Sequence, residues 1–163
     1  MKKIEVNYTF YEFEDASEID QEKSALMEAA VQALQNAYAP YSNFRVGAAV
    51  LLGNGQVITG NNQENAAYPS GLCAERVALF AAKASFPKEQ IKLVAIATEL
   101  GLQTGDTIAP CGACRQVFAE YADQQEQPIE LLLVGNSSRT AYFEDVRNLL
   151  PHRFRAEHLK KHR

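Results

Sequence analysis

The spacing of apolar residues changes several times along this 163-residue chain, and each change marks an element. Leu26, Ala30, Val31 and Leu34 recur at helical spacing and predict a helix capped by Ser17 or Asp20, running to about Tyr38 and stopped before Pro40. Val46 to Leu52 and Gln56 to Thr59 flank Asn54-Gly55, a pair suited to the positive φ angles of a type I′ turn, and predict a hairpin. A loop through Pro69-Ser70-Gly71 leads into a helix from about Cys73 to Ser85 and then an apolar strand from Ile91 to Thr98. A glycine-containing loop, a helix from Cys111 to Ala122 and a strand from Ile129 to Val134 follow. Near the start, Tyr8 to Phe13 alternates weakly, which reads as an added strand or an ordered arm. Helices alternating with buried strands predict an α/β fold: a three-layer α-β-α sandwich on a mixed sheet of roughly five strands. The hairpin is antiparallel and the later strands are joined by right-handed crossovers.

Length sets the expectation of one principal domain, over residues 20–154, with an N-terminal arm over 1–19 and a basic tail over 155–163. Hydrophobic residues make up 47% of the chain, yet no apolar run is long enough to span a bilayer, so no membrane partner is expected. Met1 to Tyr8 lack the apolar middle and small-residue cleavage site of a secretory signal, which predicts a cytoplasmic protein. The three cysteines fit metal thiolates in a reducing compartment better than a disulfide framework. Net charge is −4 with no lysine or arginine stripe, which argues against nucleic acid and for a small substrate. His152, His158 and His162 lie in or beside the basic tail, far from the cysteines, and are not expected to be ligands.

Those cysteines fall in two motifs, Cys73-Ala74-Glu75-Arg76 and Pro110-Cys111-Gly112-Ala113-Cys114-Arg115. A closed structural zinc site takes four protein ligands, so three thiols leave one tetrahedral position for water. Glu75 is then placed to carry that water's proton, the arrangement of three cysteines and a non-ligand glutamate known from zinc deaminases. Cys111 and Cys114 are three apart and share a helical face, so Cys73 comes from another helix. Residues two apart on a regular helix point to nearly opposite sides, so Cys73 and Glu75 share a cavity only if Cys73 is the cap or first residue. Three thiolates outweigh the charge of one zinc ion. Helix N-termini and an arginine, Arg76 in preference to Arg115, are expected to withdraw the excess. A structural zinc knot, or a Cys-x-x-Cys redox pair at Cys111 and Cys114, accounts for neither Cys73 nor Glu75.

With these motifs the chain resembles the small, homotetrameric, three-cysteine cytidine deaminases, over roughly Asp20 to Phe154. Further matching stretches are Ala39-Pro40-Tyr41-Ser42-Asn43-Phe44-Arg45-Val46-Gly47-Ala48-Ala49, Asn62-Gln63-Glu64-Asn65-Ala66-Ala67-Tyr68, and Leu149-Leu150-Pro151 followed by Phe154. The resemblance implies one Zn2+ per subunit on Cys73, Cys111 and Cys114, with Glu75 as the catalytic proton carrier. It further implies that Asn62 and Glu64 bind the ribose 3′-hydroxyl and that Phe44 packs on the pyrimidine. The backbone N–H of Ala74 would hold the ring O2 and the carbonyl of Cys111 the amino group, while Ala66, Tyr68 and Phe154 reach into a neighbouring subunit's site. Two features depart from the family: Gln63 stands at a usually aliphatic position, and the arm before Asp20 is longer than usual.

The implied activity is hydrolytic deamination of cytidine and deoxycytidine to uridine and deoxyuridine with release of ammonia, a step of pyrimidine salvage, by a homotetramer with composite sites. Two alternatives stay open from the residues alone: a deaminase of a related small aminopyrimidine or nucleoside analogue, and a zinc-stabilised binding module without chemistry.

Overall fold

The computed structural model describes residues 1–125, 127–136 and 139–160; Lys161, His162 and Arg163 of the basic tail lie outside the described residues. Helix α1 (Gln21–Leu34) starts where Asp20 Oδ1 accepts the N–H of Lys23 at 2.8 Å, and it buries Leu26, Ala30, Ala33 and Leu34. It ends earlier than its apolar spacing predicts. The N–H groups of Asn36 and Ala37 turn to the carbonyls three residues back, and Tyr38 leaves the helix to exchange backbone hydrogen bonds with Asn62 and Glu64. Strand pairing has captured the residues that Pro40 alone was expected to release.

Strands β2 (Val46–Leu52) and β3 (Val57–Asn61) form the hairpin, paired from Gly47↔Asn61 to Leu51↔Val57. Its turn differs from the expected type I′. Gly55 alone takes a positive φ, 83°, and the Gly55 N–H donates to the carbonyl of Leu52, closing a three-residue loop over Gly53 to Gly55. Helix α2 (Ala74–Ser85) and strand β4 (Ile91–Thr98) follow, and β4 pairs antiparallel with β2 so that Thr98 lies beside Val46. The expected loop after β4 contains a short helix, α3 (Glu99–Thr104), because Thr98 Oγ1 accepts the N–H of Gly101 as a cap. Helix α4 (Gly112–Gln125) carries the chain across to strand β5 (Glu130–Val134), parallel to β4.

The sheet has six strands in the order β1-β6-β5-β4-β2-β3, against the roughly five expected. Strand β6 (Thr140–Phe143) has no alternating pattern to announce it; it forms because it returns antiparallel along β5. The N-terminal arm then adds β1 (Tyr11–Phe13) to β6, in the register Tyr11↔Tyr142. Its aromatic residues hold it there: Phe10 stacks on Phe143 with centroids 5.2 Å apart, and Phe13 lies on Tyr142 at 5.8 Å. A last short helix, α5 (Glu157–Lys160), lies in the C-terminal segment.

Alternate residues of the central strands feed two cores, which makes three layers. Ala48, Val50, Val94 and Leu131 pack under α2 and α4, while Ala49, Leu51, Ala95 and Leu132 pack under α1. Two glycines let the helices close on the sheet. A Cβ at Gly47 would lie 2.1 Å from the carbonyl oxygen of Ala30 in α1, and one at Gly60 would lie 2.5 Å from the backbone nitrogen of Ala78 in α2. The contact at Gly60 also reaches the carbonyl of Ala74, at 2.8 Å, so it sets the height of the α2 N-terminus above the sheet.

Gly60→Ala is therefore expected to push α2 off β3, costing roughly 1–3 kcal/mol of overpacking. At about 2–4 °C per kcal/mol for a chain of this size, thermal denaturation should show a melting temperature lower by several degrees. An unchanged melting temperature would mean that the helix does not bear on the sheet at this point.

Candidate metal centre and substrate cleft

Antiparallel pairing of β2 with β3 and β4 brings Val46, Asn61 and Thr98 to one end of the sheet. At that end the N-termini of α2 and α4 deliver the cysteines. Cys73 is the N-cap of α2, with extended angles (φ −69°, ψ 153°), and Glu75 lies in the first turn. The break from helical geometry at the cap lets two residues that are only two apart face one cavity.

The Sγ atoms of Cys73 and Cys111 are 3.9 Å apart, those of Cys111 and Cys114 are 3.6 Å apart, and all three lie within 4.8 Å of one another. Thiolates bound to one tetrahedral zinc at about 2.3 Å would sit about 3.8 Å apart, so these sulfurs fit a shared zinc ion. Among the described residues no other group of three or more cysteine, histidine or carboxylate side chains converges in this way. Cys114 is buried, Cys73 half-buried and Cys111 exposed, so the cluster is sealed by protein on one side and open on the other.

Charge around the sulfurs is uneven. The neighbouring Cys114 thiol and Arg76, whose Nη2 donates to Cys73 Sγ at 3.7 Å, hold the Cys73 thiol down at about 5. The Cys114 thiol is pushed up because its proton serves Cys73. Arg115 is turned elsewhere, with Nε donating to the carbonyl of Pro110 at 2.8 Å and Nη1 to that of Leu149 at 3.2 Å. Glu75 is 5% exposed, and burial pushes its carboxyl above the ordinary glutamate value, against a hydrogen bond from its own N–H.

Two adjoining clefts of about 450 and 410 Å³ share Ser42, Asn62, Glu64 and Cys73. Phe44, Glu75 and Cys111 line the deeper one, and Tyr68 and Gln63 the outer one. Asn62 and Glu64 hold the loop before β2 as well as facing the cleft. Asn62 Oδ1 accepts the Val46 N–H and Nδ2 donates to the Phe44 carbonyl, both at 2.9 Å. Glu64 Oε2 accepts the N–H of Tyr41 at 2.8 Å and that of Ser42 at 3.2 Å, while Oε1 accepts the Ser42 hydroxyl. A carboxylate has about four lone-pair sites and an amide two donors and two acceptor sites, so each side chain keeps capacity for a ligand hydroxyl. Gln63 turns its amide to Asn61 Oδ1, at 2.5 Å.

Other residues named from the sequence are less concentrated. The Ala74 N–H sits at the open start of α2, and the Cys111 carbonyl accepts the Arg115 N–H at 3.0 Å with one lone pair to spare. Ala66 and Phe154 do not line either cleft, whereas Tyr68 is 75% exposed with its ring against Tyr41. Ser42 went unassigned in the sequence: it lies inside a recognisable motif, but its partner Glu64 is 22 residues away.

The family described as "Cytidine and deoxycytidylate deaminase zinc-binding region" matches residues 20–126. A cytidine deaminase of Halalkalibacterium halodurans is 39% identical over 136 residues, covering 83% of this chain and 96% of that protein. The cytidine deaminase of Mycobacterium tuberculosis is 37% identical over 134 residues, covering 82% and 90%. Among solved structures, the cytidine deaminase of Burkholderia pseudomallei superposes with a TM-score of 0.70 at 41% identity, covering 80% of this chain and 98% of that one. Three converging sulfurs, a buried glutamate beside them and these likenesses lead to one conclusion: the chain belongs to the cytidine deaminase family.

Proposed function

We propose that the protein is a zinc-dependent cytidine deaminase, converting cytidine and deoxycytidine to the corresponding uridines with release of ammonia. The observation that carries this reading is a single cleft lined by Cys73 and Cys111 of the three-sulfur cluster, the buried Glu75 carboxyl and the hydroxyl-binding side chains of Asn62 and Glu64. Cys73, Cys111 and Cys114 hold the ion, one per subunit, with Arg76 drawing charge from the Cys73 sulfur. Zinc held by these three thiolates would supply a water whose pKa is brought down toward neutral from its far higher value in bulk. Glu75 accepts the proton given up by the attacking water and delivers it to ring N3. It then takes the remaining proton from the oxygen now bonded to C4 and passes it to the departing amine, so the C–N bond breaks, ammonia leaves and a carbonyl remains at C4. Its burial suits this work, since a carboxyl held above its ordinary value gives and takes protons closer to neutral pH.

Phe44 packs on the pyrimidine, the Ala74 N–H holds O2, and the Cys111 carbonyl accepts from the amino group. Asn62 donates to the 3′-hydroxyl of the sugar while Glu64 accepts from it, which uses the valences their loop contacts leave over. The catalytic domain spans residues 20–154, the arm and tail being additions, and the family match beginning at residue 20 supports the first boundary. No helix among the described residues is long and apolar enough to cross a membrane, and three unpaired cysteines suit the reducing cytoplasm and a salvage role there.

We further infer a homotetramer whose sites are shared between subunits. Tyr68 is 75% and Phe154 55% exposed, large apolar rings better covered by another copy than left in water. Ala66, on the same stretch as Tyr68, joins them in a neighbour's pocket.

Protein prepared without chelators should contain one zinc per chain by metal analysis, and Cys111→Ala should lose it. Full zinc retention in that variant would remove Cys111 from the ligand set.

Ammonia release tests the chemistry. Cytidine and deoxycytidine should react, and cytosine, without a sugar, should react poorly; equal turnover of cytosine would remove the nucleoside reading. Glu75→Gln should keep zinc and fold but lose about 10²–10⁴-fold in kcat, and a variant at half the normal rate would make Glu75 structural.

Light scattering at working concentration should report a tetramer, and Phe154→Ala should raise KM although the residue lies outside its own chain's clefts. A fully active monomer would show each site to be built from one chain.

A further inference from the structure

Among the hydrogen bonds that hold the loop between α1 and β2, several converge on one hydroxyl. Ser42 Oγ donates to Glu64 Oε1 and accepts the N–H of Phe44 at 3.0 Å. The geometry depends on Asn43, whose φ of 54° lies in the left-handed region that asparagine tolerates better than most residues. Its own N–H donates to the Ala39 carbonyl at 3.0 Å, closing the turn. That reversal lets the Ser42 side chain reach the N–H two residues ahead while still facing Glu64. The Phe44 carbonyl on the other side is tied to Asn62, so the backbone carrying the Phe44 ring is pinned on one flank by Ser42, itself bound to Glu64, and on the other by Asn62.

We propose that Ser42 is a positioning residue that couples sugar recognition to base stacking, by tying the Glu64 carboxylate to the backbone of Phe44. This rests on the nucleoside reading given above. The Ser42 hydroxyl occupies one lone pair of Oε1 and, with the two N–H bonds on Oε2, leaves the remaining valence as the one a sugar hydroxyl meets. Removing it leaves the carboxylate anchored through Oε2 alone, with Oε1 unheld, and leaves the Phe44 N–H without its partner. Substrate binding then suffers at sugar and base together, while Glu75 and the three sulfurs are untouched.

Steady-state kinetics with cytidine and 2′,3′-dideoxycytidine test the coupling. Ser42→Ala is expected to raise KM for cytidine about tenfold, the scale of a lost hydrogen bond to a charged group, with little change in kcat. Dideoxycytidine offers Glu64 no 3′-hydroxyl, so its KM should rise much less, and the preference for cytidine should shrink. Ser42→Thr, which keeps the hydroxyl, should restore both values, and zinc content should remain one per chain throughout. If Ser42→Ala does not fold, Ser42→Cys serves instead, since its thiol fills the same space with only a weak donor and acceptor. A wild-type protein inert toward cytidine would overturn the nucleoside reading and this assignment with it. Active wild-type protein in which the Ser42 variant leaves KM unchanged, or raises it equally for both substrates, would overturn the coupling alone.

Discussion

Three sulfurs within 4.8 Å of one another cannot all carry charge unless a cation lies among them, and the end of the sheet is organised around that constraint. The three sulfurs are not equivalent: neighbouring Cys114 and Arg76 hold the Cys73 thiol down at about 5, while Cys73 and burial push the Cys114 thiol up. The surroundings favour negative charge nonetheless. Cys73 caps α2 and Cys111 immediately precedes α4, so both helices turn their positive ends toward the cluster, and Arg76 reaches Cys73 from one turn along. Each of these lowers the cost of assembling three thiolates. Together they moderate the surplus negative charge that would blunt the ion as a Lewis acid.

That electrostatic requirement becomes a packing requirement, because the sulfurs belong to two helices that meet only through the sheet. Gly60 beneath α2 sets how closely the helix start approaches β3, and small residues along its buried face, Ala74, Ala78 and Ala82, keep it close. On α4 the buried set is Cys114, Phe118, Ala119 and Ala122, so the metal-binding residue continues the helix's own core stripe. Glu75 is buried by the same closeness. Its raised carboxyl pKa therefore follows first from helix packing, with the nearby Cys73 sulfur adding to it.

Legibility in the sequence tracked how local the determining interaction is. Strand β4 was readable to the residue, since an apolar run broken only by Lys92 and closed by Thr98 reads as a buried strand. Asp20, one of the two caps the sequence offered, and Cys73 at the start of α2 followed from side-chain chemistry within one turn. Misreadings arose where a distant segment decides. The end of α1 is set by residues 62–64 competing for Tyr38, and β6 exists only because β5 offers an edge. The hairpin turn depended on whether one or both residues of Asn54-Gly55 take positive φ, a choice the dipeptide leaves to the strand register. At the site, the sulfurs and Glu75 were legible because few chemistries use that set of residues. The bonds from Asn62 and Glu64 to the loop of Phe44 span roughly twenty positions and leave no mark in spacing.

The N-terminal segment docks at a distance from the candidate site. In the order β1-β6-β5-β4-β2-β3, β1 lies at the edge opposite the hairpin whose ends carry Phe44, Asn62 and Glu64. Its three residues are too few to hold by backbone pairing alone. Side chains make up the difference, through stacking on Tyr142 and Phe143, the ion pair of Glu12 with Arg139 at 2.8 Å, and the ammonium of Lys23 5.5 Å from the centre of the Tyr142 ring. Lys23 belongs to the first turn of α1, so arm, helix and edge strand meet on one tyrosine. The extension thereby covers an edge that would otherwise present unpaired N–H and C=O groups, and it does so four strands away from β2. Sequence change in the arm is free to alter the stability of that edge while the spacing of the sulfurs, governed by α2, α4 and the glycine beneath α2, stays as it is.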